Sequence, residues 1–216
     1  MDITEFVKAR NIKGAVFDMD GTLTDSMKRW SEIYAVLSEH IKTEFPQGFM
    51  MKVNHIPMRG RVKAIKDEFL LDFDENKVYN FWVGKAAGYY EKVFKIKPYM
   101  LETLKELNAC GVKCAIATAS DRACAEAFIR SNDLGGYIGG VTSLDEVSRP
   151  KSFPDIYIKA ASKLGVQPSE CIVFEDALTA VKAARAGGFK VCGVQDDCSA
   201  KDSEEIKAVS DFVMGF

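Results

Sequence analysis

Histidine is almost absent from the 216 residues: there are two, His40 and His55. Neither is paired in sequence with another ligand type. That argues against a histidine-rich metal centre or a Ser-His-Asp triad, and each reads as a helix-surface or loop residue. The six cysteines, Cys110, Cys114, Cys124, Cys171, Cys192 and Cys198, form no Cys-x-x-Cys pair. Several fall in apolar runs, so buried free thiols in a reducing cytoplasm are expected rather than disulfides or a zinc site. No apolar stretch approaches the roughly 20 residues of a membrane span. The opening residues from Met1 to Glu5 lack the basic and apolar regions of a signal peptide, and the expected location is cytoplasmic. No Gly-rich loop ends in Gly-Lys-Ser/Thr, which excludes a P-loop nucleotidase. There is no internal repeat or low-complexity run. Charge is nearly balanced, with 29 Lys or Arg against 31 Asp or Glu, and no basic patch argues for nucleic acid.

What is present is centred on Gly14-Ala-Val-Phe-Asp18-Met-Asp20-Gly21-Thr22. Ala15, Val16 and Phe17 have no polar alternation, as expected of a strand buried on both faces of a parallel sheet. Asp18 and Asp20 then lie at the strand's carboxyl end, where open α/β sheets bind ligands. Two carboxylates so close remain ionised only where a cation or donors stabilise them. Gly21 lets the backbone turn back over the site.

The strand is expected over about 13–18. Helical spacing follows, with Trp30, Ile33, Tyr34, Leu37 and Ile41 on one face and Asp25 or Ser26 as the cap. A loop over 53–57 leads into a second helix carrying Val62, Ile65, Phe69 and Leu70. A third runs from Asp74 or Glu75 to about Lys95, its Gly84 and Gly88 permitting close helix packing or weakening the helix. Between Ser26 and Lys97 no strand is expected. The aromatic residues of this segment read as its own core, and its 13 basic against 9 acidic residues suit an anionic substrate held against an acidic core, or an ordinary solvated face. From Pro98 helices and strands alternate, with strands over 112–118, 171–174 and 190–194, a short extended piece over 137–141, and a helix-strand remnant over 206–213. The expected fold is an α/β doubly wound parallel sheet with a small inserted all-helical domain. The core takes 1–25 and 96–216, and the insert takes 26–95.

Three strands end in groups that chemistry can use. Asp18 and Asp20 close the first. Thr118, Ala119 and Ser120 follow the second, where a hydroxyl and backbone N–H groups suit a phosphate. Glu175 and Asp176 close the third; they suit a divalent cation such as Mg²⁺, which takes oxygen ligands, or else serve as helix N-terminal acids. Lys151, between the last two, could neutralise carboxylate and phosphoryl charge, or else is an ordinary surface lysine.

In order, these elements resemble the haloacid dehalogenase-like (HAD) phosphohydrolases over essentially the whole chain. Asp18-Met-Asp20-Gly-Thr resembles the family's Asp-x-Asp-Gly-Thr signature, and Ala117-Thr118-Ala-Ser its second motif. Lys151-Ser-Phe-Pro-Asp-Ile-Tyr resembles Lys-Pro-x-Pro-Asp-x-Tyr/Phe, and Phe174-Glu-Asp176 the metal motif. The insert looks like the cap of the β-phosphoglucomutase and phosphoglycolate phosphatase-like subgroup. The resemblance implies that Asp18 is a nucleophile forming an aspartyl-phosphate, and that Asp20 is a general acid and then base. It implies that Thr118 and Lys151 hold the phosphoryl group, with Gly21, Ala119 and Ser120 around it. Mg²⁺ would be held by the Asp18 carboxylate, the Asp20 backbone carbonyl and Asp176, with Glu175 close by. Arg59-Gly60 resembles the basic-Gly element of the cap's substrate loop. A second aspartate favours phosphoryl transfer over dehalogenation, because a leaving alkoxide needs a proton. Ser152 stands for the usual Pro after the motif lysine, and Ala177 and Ala180 for the frequent Ser and Gly. Trp30 stands where the mutases carry a hinge histidine. The expected activity is therefore a Mg²⁺-dependent phosphatase acting on a small phosphorylated metabolite, with no nucleic-acid or membrane partner. The alternatives are a sugar-phosphate mutase and a non-catalytic phosphate-binding module.

Overall fold

The computed structural model describes residues 2–215; Met1 and Phe216, the outermost positions of the expected core segments, lie outside the described residues. A capped helix, α1 (Ile3–Ala9), leads into β1 (Gly14–Phe17). Four helices follow without a strand: α2 (Trp30–Ile41), α3 (Phe49–Val53), α4 (Met58–Glu68) and α5 (Glu75–Lys92). Helix and strand then alternate through α6 (Pro98–Ala109), β2 (Lys113–Thr118), α7 (Arg122–Ser131), β3 (Ile138–Ser143), α8 (Asp155–Leu164), β4 (Cys171–Glu175), α9 (Leu178–Ala186), β5 (Lys190–Val194), α10 (Ser203–Val209) and β6 (Phe212–Met214).

The strands form one six-stranded sheet in the order β3-β2-β1-β4-β5-β6, and every neighbouring pair is parallel. The order reverses at β1, which lies between β2 and β4. That switch point is where a parallel sheet opens a crevice at its carboxyl edge. All four β1 residues are buried, as the unalternating apolar run requires. Successive side chains point to opposite faces: Phe17 joins the hydrophobic cluster on one face and Val16 joins that on the other. Phe17 stacks on Phe174 of β4 with ring centroids 4.2 Å apart.

The first cluster holds residues of α1, α6 and α7, and also Ile33, Leu37, Met58, Val62, Trp82 and Tyr90 of the inserted helices. The insert and the sheet therefore share one hydrophobic core. The second cluster packs α8, α9 and Ile206 of α10 against the opposite face.

Several local expectations are revised. Helix α3 takes in Val53, expected as the start of a loop, and α5 ends at Lys92 rather than near Lys95. The expected cap does not form: a 3₁₀ turn over Met27–Arg29 precedes α2, and Ser26 makes no side-chain capping bond. Its hydroxyl donates instead to Asp20 at 2.5 Å. Neither Gly84 nor Gly88 mediates close packing, since a Cβ at either position would meet nothing within 4 Å. His40 stacks on Phe81 at 3.6 Å. The cysteines are free, and four of them are buried. No helix among the described residues is long and apolar enough to cross a membrane.

The shared core makes a prediction. Trp82, fully buried in α5, replaced by Ala, is expected to cost about 3–5 kcal/mol and to shift the urea unfolding of the whole protein in one transition. A separate early transition confined to the insert would show that the two parts are energetically independent.

Candidate active site

β1 and β4 pair in register, Phe17 opposite Phe174, so the residues after each strand emerge side by side. Asp18, Glu175 and Asp176 thereby converge: one carboxylate oxygen from each lies within 4.8 Å of the others. All three side chains are buried. Lys151, from the loop before α8, donates to the Asp18 carboxylate and, at 2.6 Å, to Glu175 Oε1. Glu175 is otherwise fully engaged. The Tyr157 hydroxyl donates to Oε1 at 2.8 Å, and the backbone N–H groups of Asp176 and Ala177 donate to Oε2 at 3.0 and 3.1 Å. Glu175 thus fixes the lysine while the lysine faces Asp18.

Asp176 accepts a hydrogen bond from Thr22 Oγ1 at 2.9 Å on Oδ1. Gly21 passes directly over it with φ of 92°. A Cβ at Gly21 would lie 2.5 Å from Asp176 Oδ2, so glycine is required both by the left-handed backbone and by the close approach. Lys97, at the far end of the insert, clips this loop by donating to the Gly21 carbonyl at 2.5 Å.

The electrostatics follow from burial. Desolvation pushes the Asp18 carboxyl up to about 8; Lys151 opposes the shift, while Glu175 and Asp20 add to it. Burial, together with Glu175 and Asp18, raises Asp176 well above the ordinary carboxylate range. Burial works against the Lys151 charge, but Asp18 and Glu175 override it and hold the ammonium protonated well above its usual range. One ammonium cannot balance three ionised carboxylates in a low-dielectric site, so without a cation the site keeps protons that a bound cation would replace. Among the described residues, Asp18 Oδ2 and Asp176 Oδ2 accept no protein hydrogen bond. Oxygen-only donors with free lone pairs fit a hard divalent cation.

Asp20 stands across a small cavity of about 160 Å³ that Asp18, Lys151 and Asp176 also line. Its Oδ1 accepts from the hydroxyls of Ser26 and Tyr90, with the Trp30 indole N–H at 3.4 Å. Its Oδ2 accepts from Ser120 Oγ at 2.7 Å. Ala119 and Ser120 line the cavity, whereas the Thr118 hydroxyl turns to accept the Ser120 N–H at 3.0 Å. Arg59 lies outside this group: it donates to Asn76 at 2.7 Å and sits over the Tyr79 ring. Arg61 lines the cavity instead, its guanidinium held by the carbonyls of Asn54 and Ile56 at 2.6 and 2.7 Å.

Sequence reasoning missed Arg61, Tyr90 and Ser26. The two arginines are two positions apart on α4, which puts them on different faces of the helix. Tyr90 lay within an aromatic series read as the insert's own core, and nothing local marked its hydroxyl. The chemistry available is that of a nucleophilic carboxylate beside a fixed ammonium, with a second carboxylate positioned to carry a proton.

The raised carboxyls have a measurable consequence. Where the folded state holds protons that the unfolded state has released, stability falls as pH rises, here between the ordinary carboxylate range and about 8. A divalent cation bound among these carboxylates would replace those protons. Mg²⁺ is therefore expected to raise the melting temperature more at pH 8 than at pH 5.5, relative to chelator. An equal or absent effect at the two pH values would refute this account of the carboxylate cluster.

The sequence model of the haloacid dehalogenase-like hydrolases matches residues 12–188. The fructose-1-phosphate phosphatase YqaB of Escherichia coli is 29% identical over 194 residues, covering 84% of this chain and 96% of the relative. A phosphorylated carbohydrates phosphatase of Thermotoga maritima is 26% identical over 180 residues, covering 83% of each. Among solved structures, CbbY from Rhodobacter sphaeroides in complex with phosphate superposes with a TM-score of 0.79 at 19% identity, covering 94% of this chain and 93% of that one, a likeness of fold. With the switch-point crevice, the inserted helices and a family match spanning both, the chain belongs to the haloacid dehalogenase-like hydrolases.

Proposed function

We propose that the protein is a phosphatase of this family, a Mg²⁺-dependent phosphoric monoester hydrolase acting on a small phosphorylated metabolite, a sugar phosphate or similar phosphomonoester. The observation that carries this reading is the placement of Asp18, held by Lys151, across one cavity from Asp20. In the first step an Asp18 oxygen forms a bond to phosphorus while the bond to the leaving oxygen breaks, and Asp20 gives that oxygen a proton. The product is an aspartyl-phosphate and a free alcohol. In the second step Asp20, now a base, takes a proton from water as the water oxygen bonds to phosphorus and frees Asp18. Lys151 and the Ala119-Ser120 backbone sit where they neutralise and orient the phosphoryl oxygens, and Thr118 supports that turn. Positioning and charge neutralisation are the main demands of phosphoryl transfer.

Asp18, Asp176 and the Asp20 backbone carbonyl would hold Mg²⁺, with Glu175 beside it. When bound, the ion supplies positive charge against the phosphoryl oxygens and the carboxylates. Residues 26–95 act as the cap, hinged where the two connections run together: Thr24 bridges Ile96, and Thr24 Oγ1 donates to the Lys95 carbonyl at 2.8 Å. Trp30, which gives its N–H to Asp20, offers no titratable imidazole for the mutase reaction, which favours hydrolysis. The phosphatase relatives support the same reading, and the free cysteines suit a cytoplasmic setting.

Two measurements test the roles. Asp18→Asn is expected to lower phosphate release from a panel of phosphomonoesters by on the order of a thousandfold or more; retained release would remove Asp18 as the nucleophile. Tyr90→Phe keeps the ring packing and removes one donor to Asp20. A hydrogen bond to a charged group is worth about 1.5–3 kcal/mol, so kcat should fall about tenfold or more with little change in KM, and the pH profile of kcat should shift. An unchanged kcat and pH profile would reduce Tyr90 to a packing residue.

A further inference from the structure

The carboxylate cavity does not end at Asp176. Trp30, Tyr34, Asn54 and Asp176 also belong to the wall of a larger cleft of about 870 Å³ between the inserted helices and the loops after β4 and β5. A phosphoryl group seated on Asp18 would send its leaving group past these shared residues into the cleft. Two features of the cleft bear on what that group is. Its wall is mainly apolar, with Met27, Met50, Met51 and Phe45 on the insert side and Leu178 on the sheet side. It also contains no lysine, arginine or histidine, while Asp176 and Asp202 are both part of it. Beyond Asp176, which belongs to the carboxylate cluster, an anionic tail would therefore meet Asp202 and no basic side chain in the wall. A free polyol would leave most of the apolar wall wet, whereas methionine and aromatic walls adapt to flat apolar groups. The volume lies within the range of sites that enclose a whole small molecule.

We propose that this cleft is the leaving-group subsite, and that it selects phosphomonoesters of neutral alcohols bearing an extended aromatic or apolar face over bisphosphates and phosphorylated acids. The assignment rests on the phosphatase reading and narrows it. The second phosphate of a bisphosphate, reaching outward from the carboxylate cluster, would lie against Asp202 and the apolar wall with no basic side chain to meet it. Met51, which is 76% exposed, tests the wall without disturbing the fold or the carboxylate cluster.

The experiment compares kcat/KM for 2-(2-naphthyl)ethyl phosphate, glycerol 3-phosphate and fructose 1,6-bisphosphate, in the wild type and in Met51→Lys. The first two have alkoxide leaving groups, so the comparison reports recognition rather than leaving-group chemistry. The naphthylethyl ester is expected to exceed glycerol 3-phosphate by about tenfold or more, and the bisphosphate to be the poorest of the three. Met51→Lys should reduce the first preference and raise relative turnover of the bisphosphate. Glycerol 3-phosphate or the bisphosphate turned over as well as the naphthylethyl ester, with ratios unmoved in Met51→Lys, would overturn the subsite while leaving the phosphatase reading intact. Release from none of the esters would count against the phosphatase reading itself. The cleft is then judged by 2-(2-naphthyl)ethanol alone, titrated through tryptophan fluorescence with Trp30→Phe as control. Saturable quenching that Trp30→Phe abolishes supports the subsite, and no binding at millimolar alcohol overturns it.

Discussion

Three buried carboxylates facing one lysine are the constraint on which this molecule's architecture depends. Carboxylates at such separation repel, and burial raises the cost further, so the fold must hold Asp18, Glu175 and Asp176 together against their own electrostatics. It does so with elements that cannot easily yield. Parallel pairing of β1 with β4 fixes where the acids emerge. The engaged Glu175 carboxylate fixes Lys151. Gly21 crosses over Asp176 at a distance no side chain would tolerate. The unfavourable charge density is thus held by backbone geometry and by a packed apolar sheet beneath it. It is also a charge density that a bound cation would relieve.

Asp20 is held differently. Its partners come from the start of the insert (Ser26), from two inserted helices (Trp30 and Tyr90) and from the turn after β2 (Ser120). A single carboxylate therefore ties the insert to the sheet. The insert is not a separate globule: its Trp82 and Ile33 belong to the same hydrophobic cluster as Phe17 and Ile116. Any separation of the insert from the sheet would have to part apolar surfaces as well as break hydrogen bonds to Asp20.

Much of this was legible in the chain. The apolar run before Asp18, the paired acids after two buried strands and the strand-free segment between Ser26 and Lys97 together implied a parallel sheet with a helical insert, and the sheet follows that outline. The convergence of Asp18, Lys151, Glu175 and Asp176 was implied by the resemblance to the haloacid dehalogenase-like phosphohydrolases, while the residues alone placed the acids after two buried strands. What was not legible depends on contacts distant in sequence. Tyr90 reaches Asp20 across 70 residues, and a tyrosine in an aromatic stripe looks the same whether its hydroxyl is solvated or bonded. Arg61 rather than Arg59 enters the cavity because of the rotation of α4, which Met58, Val62 and Ile65 set by their burial. Ser26 gave up a capping role because a stronger, charged acceptor lay nearby.

The placement of β1 has a consequence for how the protein comes into being. It is the first strand made, yet it occupies the centre of the sheet, and its neighbours are residues 113–118 on one side and 171–175 on the other. During synthesis its backbone groups have no lasting partner until the chain has grown past both. The inserted helices, being local, can form while β1 waits, and their joint core with the sheet must be completed afterwards. A chain released before residue 171 would expose an unpaired apolar strand edge and would lack the residues that complete the carboxylate cluster. Assembly of the carboxylate cluster is thereby tied to synthesis through Asp176, and a copy ending before β4 would lack the cluster and would be prone to aggregate.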